Sequence, residues 1–386
     1  MAAAPFPLVD LRTVANAQNE WVALSLRADS GATLQTLFGT TDLLAAIAPL
    51  DCIVQFDDPA ILTQNLLAVL PPNRVLLAVP VQALAQDDAA RHMTELQAGG
   101  YRVLVDGVAP PGVTLPPALR RLARDCSADA PPPGSLASLF GPHLAYGVAT
   151  HARLRACEVA GFGWFSGDWV TEHRPADAQF ETDDGTSRRR LLAMLALLAR
   201  DADSCEIEDQ LKQDPGLCYH LLKLVNSAAF SCGTPITSFG QAITRIGRRQ
   251  LQRWLQLLLY AHQAPDGQPN LLLLVAALRG ALLEALARRD GLDRNAQDLA
   301  FMCGVFSLLD RLFHMPMPEV VRGLGLVAQV EDALLRRSGL LGRRLRLAEA
   351  GSVDAALMDE ARVDPAGWWQ DQLHAHHWAI QVARNV

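Results

Sequence analysis

Val22-Ala-Leu-Ser-Leu26, Ile53-Val-Gln-Phe56, Arg74-Val-Leu-Leu-Ala-Val79 and Arg102-Val-Leu-Val105 recur as short apolar runs through the first 175 or so residues. Runs of this length, apolar at nearly every position, suit parallel strands buried on both faces. Helical patterns lie between them. One runs from Asp87 to Ala98 and stops at Gly99-Gly100 before the next strand. Such β–α alternation gives either a doubly wound sheet or a barrel. No GxGxxG and no GxxxxGK[ST] follows any of these strands, which removes the main sequence support for a nucleotide-binding sheet. Proline-rich stretches (Pro110-Pro111, Pro116-Pro117, Pro131-Pro-Pro-Gly134) fall where a complete barrel would need further strands and helices, so an eroded barrel is expected.

From Arg188 onward the strand signal disappears. Leu191, Leu192, Leu195 and Leu198 make one helix face, and Leu217, Cys218, Leu221, Leu222 and Val225 another. Ser238-Phe-Gly-Gln241 reads as a capping box, with Gly247 closing the short helix it starts. Leu251, Trp254, Leu255, Leu258 and Leu259 continue at helical spacing, and helices are predicted over 271–289 and 297–313. The polar stretch Asp177–Ser187 is the linker candidate, giving an α/β domain at 1–180 and an all-α domain at 181–386.

Bulk composition agrees with two packed interiors: 50% of the 386 residues are hydrophobic and 19% charged. Through residue 180 there are 17 acidic and 11 basic side chains, net −6; the remainder carries −1 of the total −7. An acidic front half suits no polyanion. The apolar run Leu271 to Leu278 is too short to cross a bilayer, and Met1-Ala-Ala-Ala-Pro-Phe-Pro lacks the basic start of a secretion signal, so a cytoplasmic protein with no membrane partner is expected. Seven cysteines with no CxxC pair read as buried, reduced thiols.

Several separated motifs of the second half resemble HDOD domains: Leu221-Leu-Lys-Leu-Val-Asn226-Ser227-Ala-Ala-Phe230, Ile236-Thr-Ser238, and Gln241-Ala242 through Gly247. Phe301-Met-Cys-Gly-Val-Phe-Ser-Leu-Leu-Asp310-Arg-Leu-Phe resembles the HDOD domains attached to EAL domains, and Gly339-Leu-Leu-Gly342 and the helix around Trp378 fit too. The first half resembles an EAL domain, block by block. Val22-Ala23-Leu-Ser-Leu-Arg27 matches the first-strand motif, Leu70-Pro71 with Val75–Ala78 the next, and Gly100-Tyr101-Arg-Val-Leu-Val-Asp106-Gly107 the strand that normally ends in two aspartates. Leu144–Thr150 and Gly161–Gly167 match the last two blocks. The resemblance implies a degenerate EAL-type (β/α) TIM-like barrel followed by a helical, HD-related HDOD domain.

EAL enzymes hydrolyse the bacterial second messenger cyclic di-GMP with metals held by carboxylates at strand ends. By the resemblance, the motif glutamate falls at Ala23, the asparagine ligand at Gln55, the second-strand glutamate at Ala78 and the second aspartate at Gly107. The late glutamates fall at Tyr146 and Ala149 and the glutamine at Ser166; Asp106 alone remains. The metal-binding His-Asp pair of HD phosphohydrolases falls at Ser307-Leu308. The expectation is therefore a protein without catalysis, metal or cofactor, acting on other signalling proteins in cyclic di-GMP-related regulation. A barrel that binds cyclic di-GMP without hydrolysis is the second reading, and an active phosphodiesterase the third.

Other salient residues have blander readings. Of His374, His376 and His377 only His374 and His377 share a helix face, no carboxylate or cysteine completes a metal site, and a solvated or half-buried helix face is the reading. Arg188–Arg190, Arg245/248/249/253 and Arg336/337/343/344/346 read as surface helix charges, with nucleic acid disfavoured. Asn226-Ser227 suits a helix end. Phe306, Leu309 and Phe313 form a core stripe, and Ser307→Ala is expected to cost far less than Phe306→Ala if no ligand is bound there.

Overall fold

The computed structural model describes residues 6–39, 42–109, 115–128, 140–173, 202–211, 247–258, 269–322 and 324–385, with single positions between. Contacts divide the chain into two units, Met1–Glu172 with Gly351–Val353, and His173–Ala350 with Asp354–Val386. The linker candidate Asp177–Ser187 lies outside the described residues, as does the position 180/181.

The first unit is a closed eight-stranded barrel. Its strands are β1 (Arg12–Asn16), β2 (Trp21–Arg27), β3 (Asp51–Gln55), β4 (Val75–Pro80), β5 (Arg102–Asp106), β6 (Leu122–Asp125), β7 (Leu144–Tyr146) and β8 (Trp164–Phe165). β1 runs antiparallel to both β2 and β8, and all the other neighbours are parallel. Closure corrects the expectation of eroded strands. Among the described residues no α-helix separates β5 from β6 or β6 from β7. β1 escaped the sequence reading because it is a polar-flanked hairpin arm. Its turn is set by Asn16, whose side-chain oxygen accepts from the N–H groups of Gln18 and Glu20 at 2.9 Å each. β6 escaped because it has only four residues near proline-rich stretches.

The barrel helices end where the sequence says they should. Asp87–Ala98 has Asp87 and Asp88 in its first turn, against the positive end of the helix dipole, and stops at Gly99. Thr150 caps His151–Ala160 by accepting from the Arg153 N–H at 3.1 Å, and Gly161 ends that helix at φ 100°.

The second unit is helical among its described residues. Leu271–Arg289, capped by Asn270 on the Leu272 N–H at 3.0 Å, is buried on nearly every side. A helix apolar all round belongs at the centre of a bundle. It packs on Arg294–Phe306 and on the closing helix Pro365–Asn385. Arg289 grips Asp371 of that closing helix through Nε and Nη2, both at 2.8 Å. The Trp378 ring lies tilted 5.8 Å from Trp254 and edge-on 5.5 Å from Phe301, and Trp368 and Trp369 are buried. The predicted helix over 297–313 is in fact two: Arg294–Phe306 ends at Ser307, and Leu309–Phe313 follows. The stripe reading survives the break, since Phe306, Leu309 and Phe313 are all buried.

The crossing of Leu271–Arg289 over Arg294–Phe306 depends on two glycines. A Cβ on Gly304 would lie 2.5 Å from the Arg279 carbonyl oxygen, and one on Gly280 would lie 2.8 Å from Val305 Cγ2. Gly304→Ala therefore forces the helix backbones apart. The expected cost is ~1–3 kcal/mol, read as a lower urea midpoint; an unchanged midpoint would show that the helices separate freely.

Candidate functional site

Alternate residues of a strand face the same side of the sheet, and the barrel lumen is layered accordingly. Val14, Ala23, Ile53, Leu76, Ala78, Leu104, Ala123 and Leu144 form one buried cluster, with Tyr146 and Trp164 packed against it. Two residues further toward the mouth come Arg12 on antiparallel β1, then Ser25, Gln55, Asp106, Asp125, Tyr146 and Ser166. Apolar floor gives way to polar wall. Above it opens a cavity of about 900 Å³, lined by Arg12, Ser25, Gln55, Asp125, Tyr146 and Ser166, with Arg27 and Asp57 also on its surface.

The positions named from the sequence separate into three groups. Ala23 and Ala78 lie inside the apolar cluster, where their methyl groups pack against neighbours. Gln55, Tyr146, Ala149 and Ser166 line the cavity. Gly107 ends β5 with φ 100° and donates its N–H to the Ala123 carbonyl at 3.0 Å. A side chain there would hold a backbone conformation that L-residues disfavour.

Asp106 is half-buried and engaged by one neighbour. The Tyr146 hydroxyl donates to it, lying 2.9 Å from Oδ1 and 3.1 Å from Oδ2. Burial raises the Asp106 carboxyl above the usual range, against the lowering effect of the Tyr146 bond. Burial, and then the Asp106 charge, raise the Tyr146 phenol, so it keeps its proton and stays the donor. Divalent cations such as magnesium need several oxygen ligands around one point. Here one carboxylate, Asp106, meets a phenol, Tyr146, beside the methyl groups of Ala23 and Ala78 in the apolar cluster. Among the described residues no group of three or more His, Cys, Asp or Glu is placed to hold a metal ion.

Sequence reasoning missed the charges of the mouth. Arg12 and Arg27 bring cations to it, and Arg27 pairs with Asp57. Asp125 closes the unrecognised β6, and its Oδ1 accepts from the Ser127 N–H at 2.8 Å. The available signal was positional: Asp57 stands two residues beyond Gln55 at the end of a recognised strand.

In the helical unit, Ser307 and Leu308 are both buried. The Ser307 hydroxyl donates to the Gly304 carbonyl at 2.7 Å and accepts from Arg279 Nη1 at 3.1 Å. Arg279 also reaches Glu349 at 3.4 Å, and Glu349 takes two bonds from Arg337, at 2.7 and 2.8 Å. Burial lowers the Arg279 pKa and the neighbouring Glu349 raises it. Ser307→Ala would remove one acceptor from a buried guanidinium. Of the HDOD motif positions, Asn226, Ser227 and Ser238 lie outside the described residues, as do the helix faces around Leu191 and Leu217. Gly247 is exposed, with φ 81°, immediately before the helix Arg248–Leu258.

The arginine groups are engaged inward more than the surface reading allows. Arg253 meets Glu284 at 2.7 Å and Asp298 at 2.8 Å, and lies over the Phe301 ring. Arg344, nearly buried, meets Asp290 at 2.8 Å. His374 and His377, which share a helix face, are exposed, and His376 on another face is buried. The cysteines within reach of description, Cys52, Cys126, Cys157 and Cys303, are buried free thiols.

Residues 189–325 match the family model of the HDOD domain. This chain is thus a closed β/α barrel followed by a helical region, most of whose first part matches that model. YuxH of Bacillus subtilis is 27% identical over 195 residues, covering 50% of this chain and 46% of that protein. Cyclic di-GMP phosphodiesterase CdgJ of Vibrio cholerae is 26% identical over 206 residues, covering 53% and 47%. The chain spans about half the length of the curated relatives it matches. The EAL domain of Mycobacterium smegmatis DcpA has a TM-score of 0.33 at 17% identity, covering 43% of this chain and 90% of that one. An HDOD domain protein from Geobacter sulfurreducens gives 0.31 at 17%, covering 48% and 82%. Among the described residues no helix is long and apolar enough to cross a membrane.

Two outcomes are expected for the helical unit. Ser307→Ala should cost ~1–3 kcal/mol through the lost acceptor, and Phe306→Ala ~3–5 kcal/mol through a core cavity; chemical denaturation of both variants checks the order. The second concerns His376, whose pKa burial lowers from 6.5 to about 4. The unfolded chain binds that proton more readily, so stability is full above pH 6.5 and falls as pH drops toward 4. The loss is on the order of 3 kcal/mol, and His376→Phe should flatten this part of a stability–pH profile.

Proposed function

We propose that this chain is a signalling protein without catalytic activity, built from an EAL-like barrel and an HDOD domain. It acts through contacts with other signalling proteins in cyclic di-GMP-related regulation. The observation that carries this reading is the fate of the metal-ligand positions. Ala23 and Ala78 belong to the apolar floor of the lumen, and both oxygens of Asp106 lie within reach of the Tyr146 hydroxyl. Phosphodiester hydrolysis by a bound metal needs a set of ligands that leaves coordination positions for water and phosphate. The similarity to CdgJ supports the regulatory setting. In the helical unit, the positions that HD phosphohydrolases use for metal hold Ser307, bonded to Arg279, and the apolar Leu308.

A second reading, cyclic di-GMP bound without turnover, is favoured by the size of the retained cavity and by Arg12 and Arg27 on its surface. The five aspartates on that surface oppose it, since a phosphodiester anion would meet more negative than positive charge.

The test is hydrolysis of cyclic di-GMP by the purified chain with magnesium or manganese. No product above background is expected. Turnover that disappears on Asp106→Ala would overturn the reading, because Asp106 would then be a working ligand.

A further inference from the structure

The barrel mouth keeps a cavity after losing the residues that would justify a metal site. Five aspartates and two arginines line it, an excess of three negative charges. These carboxylates do not gather: no three of the described acidic, histidine or cysteine side chains are placed around a common ion. A compact divalent cation therefore has no cage, whereas an elongated cation carrying separated charges could meet several of them in turn.

An acidic surface alone names no ligand, but two further groups face the same space. Ser25 and Ser166 line the cavity while only 6% and 5% exposed. Ser25 stands two residues along β2 from the lumen position Ala23, Ser166 directly follows β8, and both line the cavity. Neither hydroxyl has a hydrogen-bond partner among the described residues. Both side chains open on the cavity, so their hydroxyls are available to a ligand there. Gln55 adds an amide to the same wall. A volume of about 900 Å³ lies within the range of small-molecule sites.

We propose that the barrel mouth binds a small organic polycation, an amine or guanidinium compound of extended shape. Asp57 and Asp125 meet its charges, and Ser25 and Ser166 accept hydrogen bonds from its N–H groups. This rests on the reading that the barrel has no catalytic metal, and names the ligand class of the same mouth.

The test is calorimetric titration of the full chain with spermidine and with agmatine at low salt, repeated for Asp57→Asn, Asp125→Asn and Ser166→Ala. Saturable binding is expected, weakened about five- to tenfold by either aspartate change and less by Ser166→Ala. Asp57 is exposed and asparagine keeps the acceptor that Asp125 offers Ser127, so both variants should fold, which unchanged circular dichroism would show. No saturable heat at millimolar ligand, or binding unchanged in both aspartate variants, would overturn the proposal. So would magnesium chloride that displaces spermidine at stoichiometric amounts, since the mouth would then be a metal site. Cyclic di-GMP hydrolysis in the separate assay would instead remove the reading on which the proposal rests, whatever the titrations give.

Discussion

Filling the lumen of the eight-stranded barrel is the constraint on which the first unit depends. Closing the sheet leaves no strand edge exposed, but the interior must then be packed by side chains from every strand. Here small residues at Ala23, Ala78 and Ala123 leave room for Tyr146 and Trp164 against Ile53, Leu76, Leu104 and Leu144. Such pairing of small and large residues packs a closed interior at native density. A carboxylate in place of either Ala23 or Ala78 would have to find hydrogen-bonding or charged partners among these apolar neighbours. Ala23 and Ala78 thus complete the floor.

The polarity of the mouth follows from that floor. One step of two residues along each strand takes the wall from apolar to polar, and Asp106 sits at the transition. Its carboxyl is raised by burial and held by Tyr146, so the half-buried carboxylate is served by a neutral donor instead of a cation. The mouth above is solvated, and its charges are held by separate local contacts, such as Arg27 with Asp57 and Asp125 with the Ser127 backbone. Stability is concentrated in the floor, and variation at the mouth is structurally cheap.

The helical unit solves its packing differently. Two glycines let the central helices approach until backbone meets backbone, and the charges around them are paired across elements. Arg279, Arg337 and Glu349 form one such network, closed by Ser307. Buried ion pairs of this kind add little net stability but penalise any arrangement that separates them. They fix which helix faces which.

The sequence by itself determined the β–α alternation, the shift to helical period, and the ends of Asp87–Ala98 and Leu271–Arg289. These are written in local period, capping residues and side-chain chemistry, which need no distant partner. Only the tertiary structure decided that the barrel closes, because β1 and β6 are too short or too polar to stand out until the ladder pairs them. It decided too that Tyr146 serves Asp106, 40 residues away in sequence. The helix break at Ser307, the burial of His376 and the inward turn of Arg253 and Arg344 belong to the same class. A polar residue's surroundings are supplied by remote segments, and residue type fixes only what bonds it can make. Asp125 and Asp57 reach one cavity because strand register and closure bring them there, a long-range geometric fact that no local pattern carries.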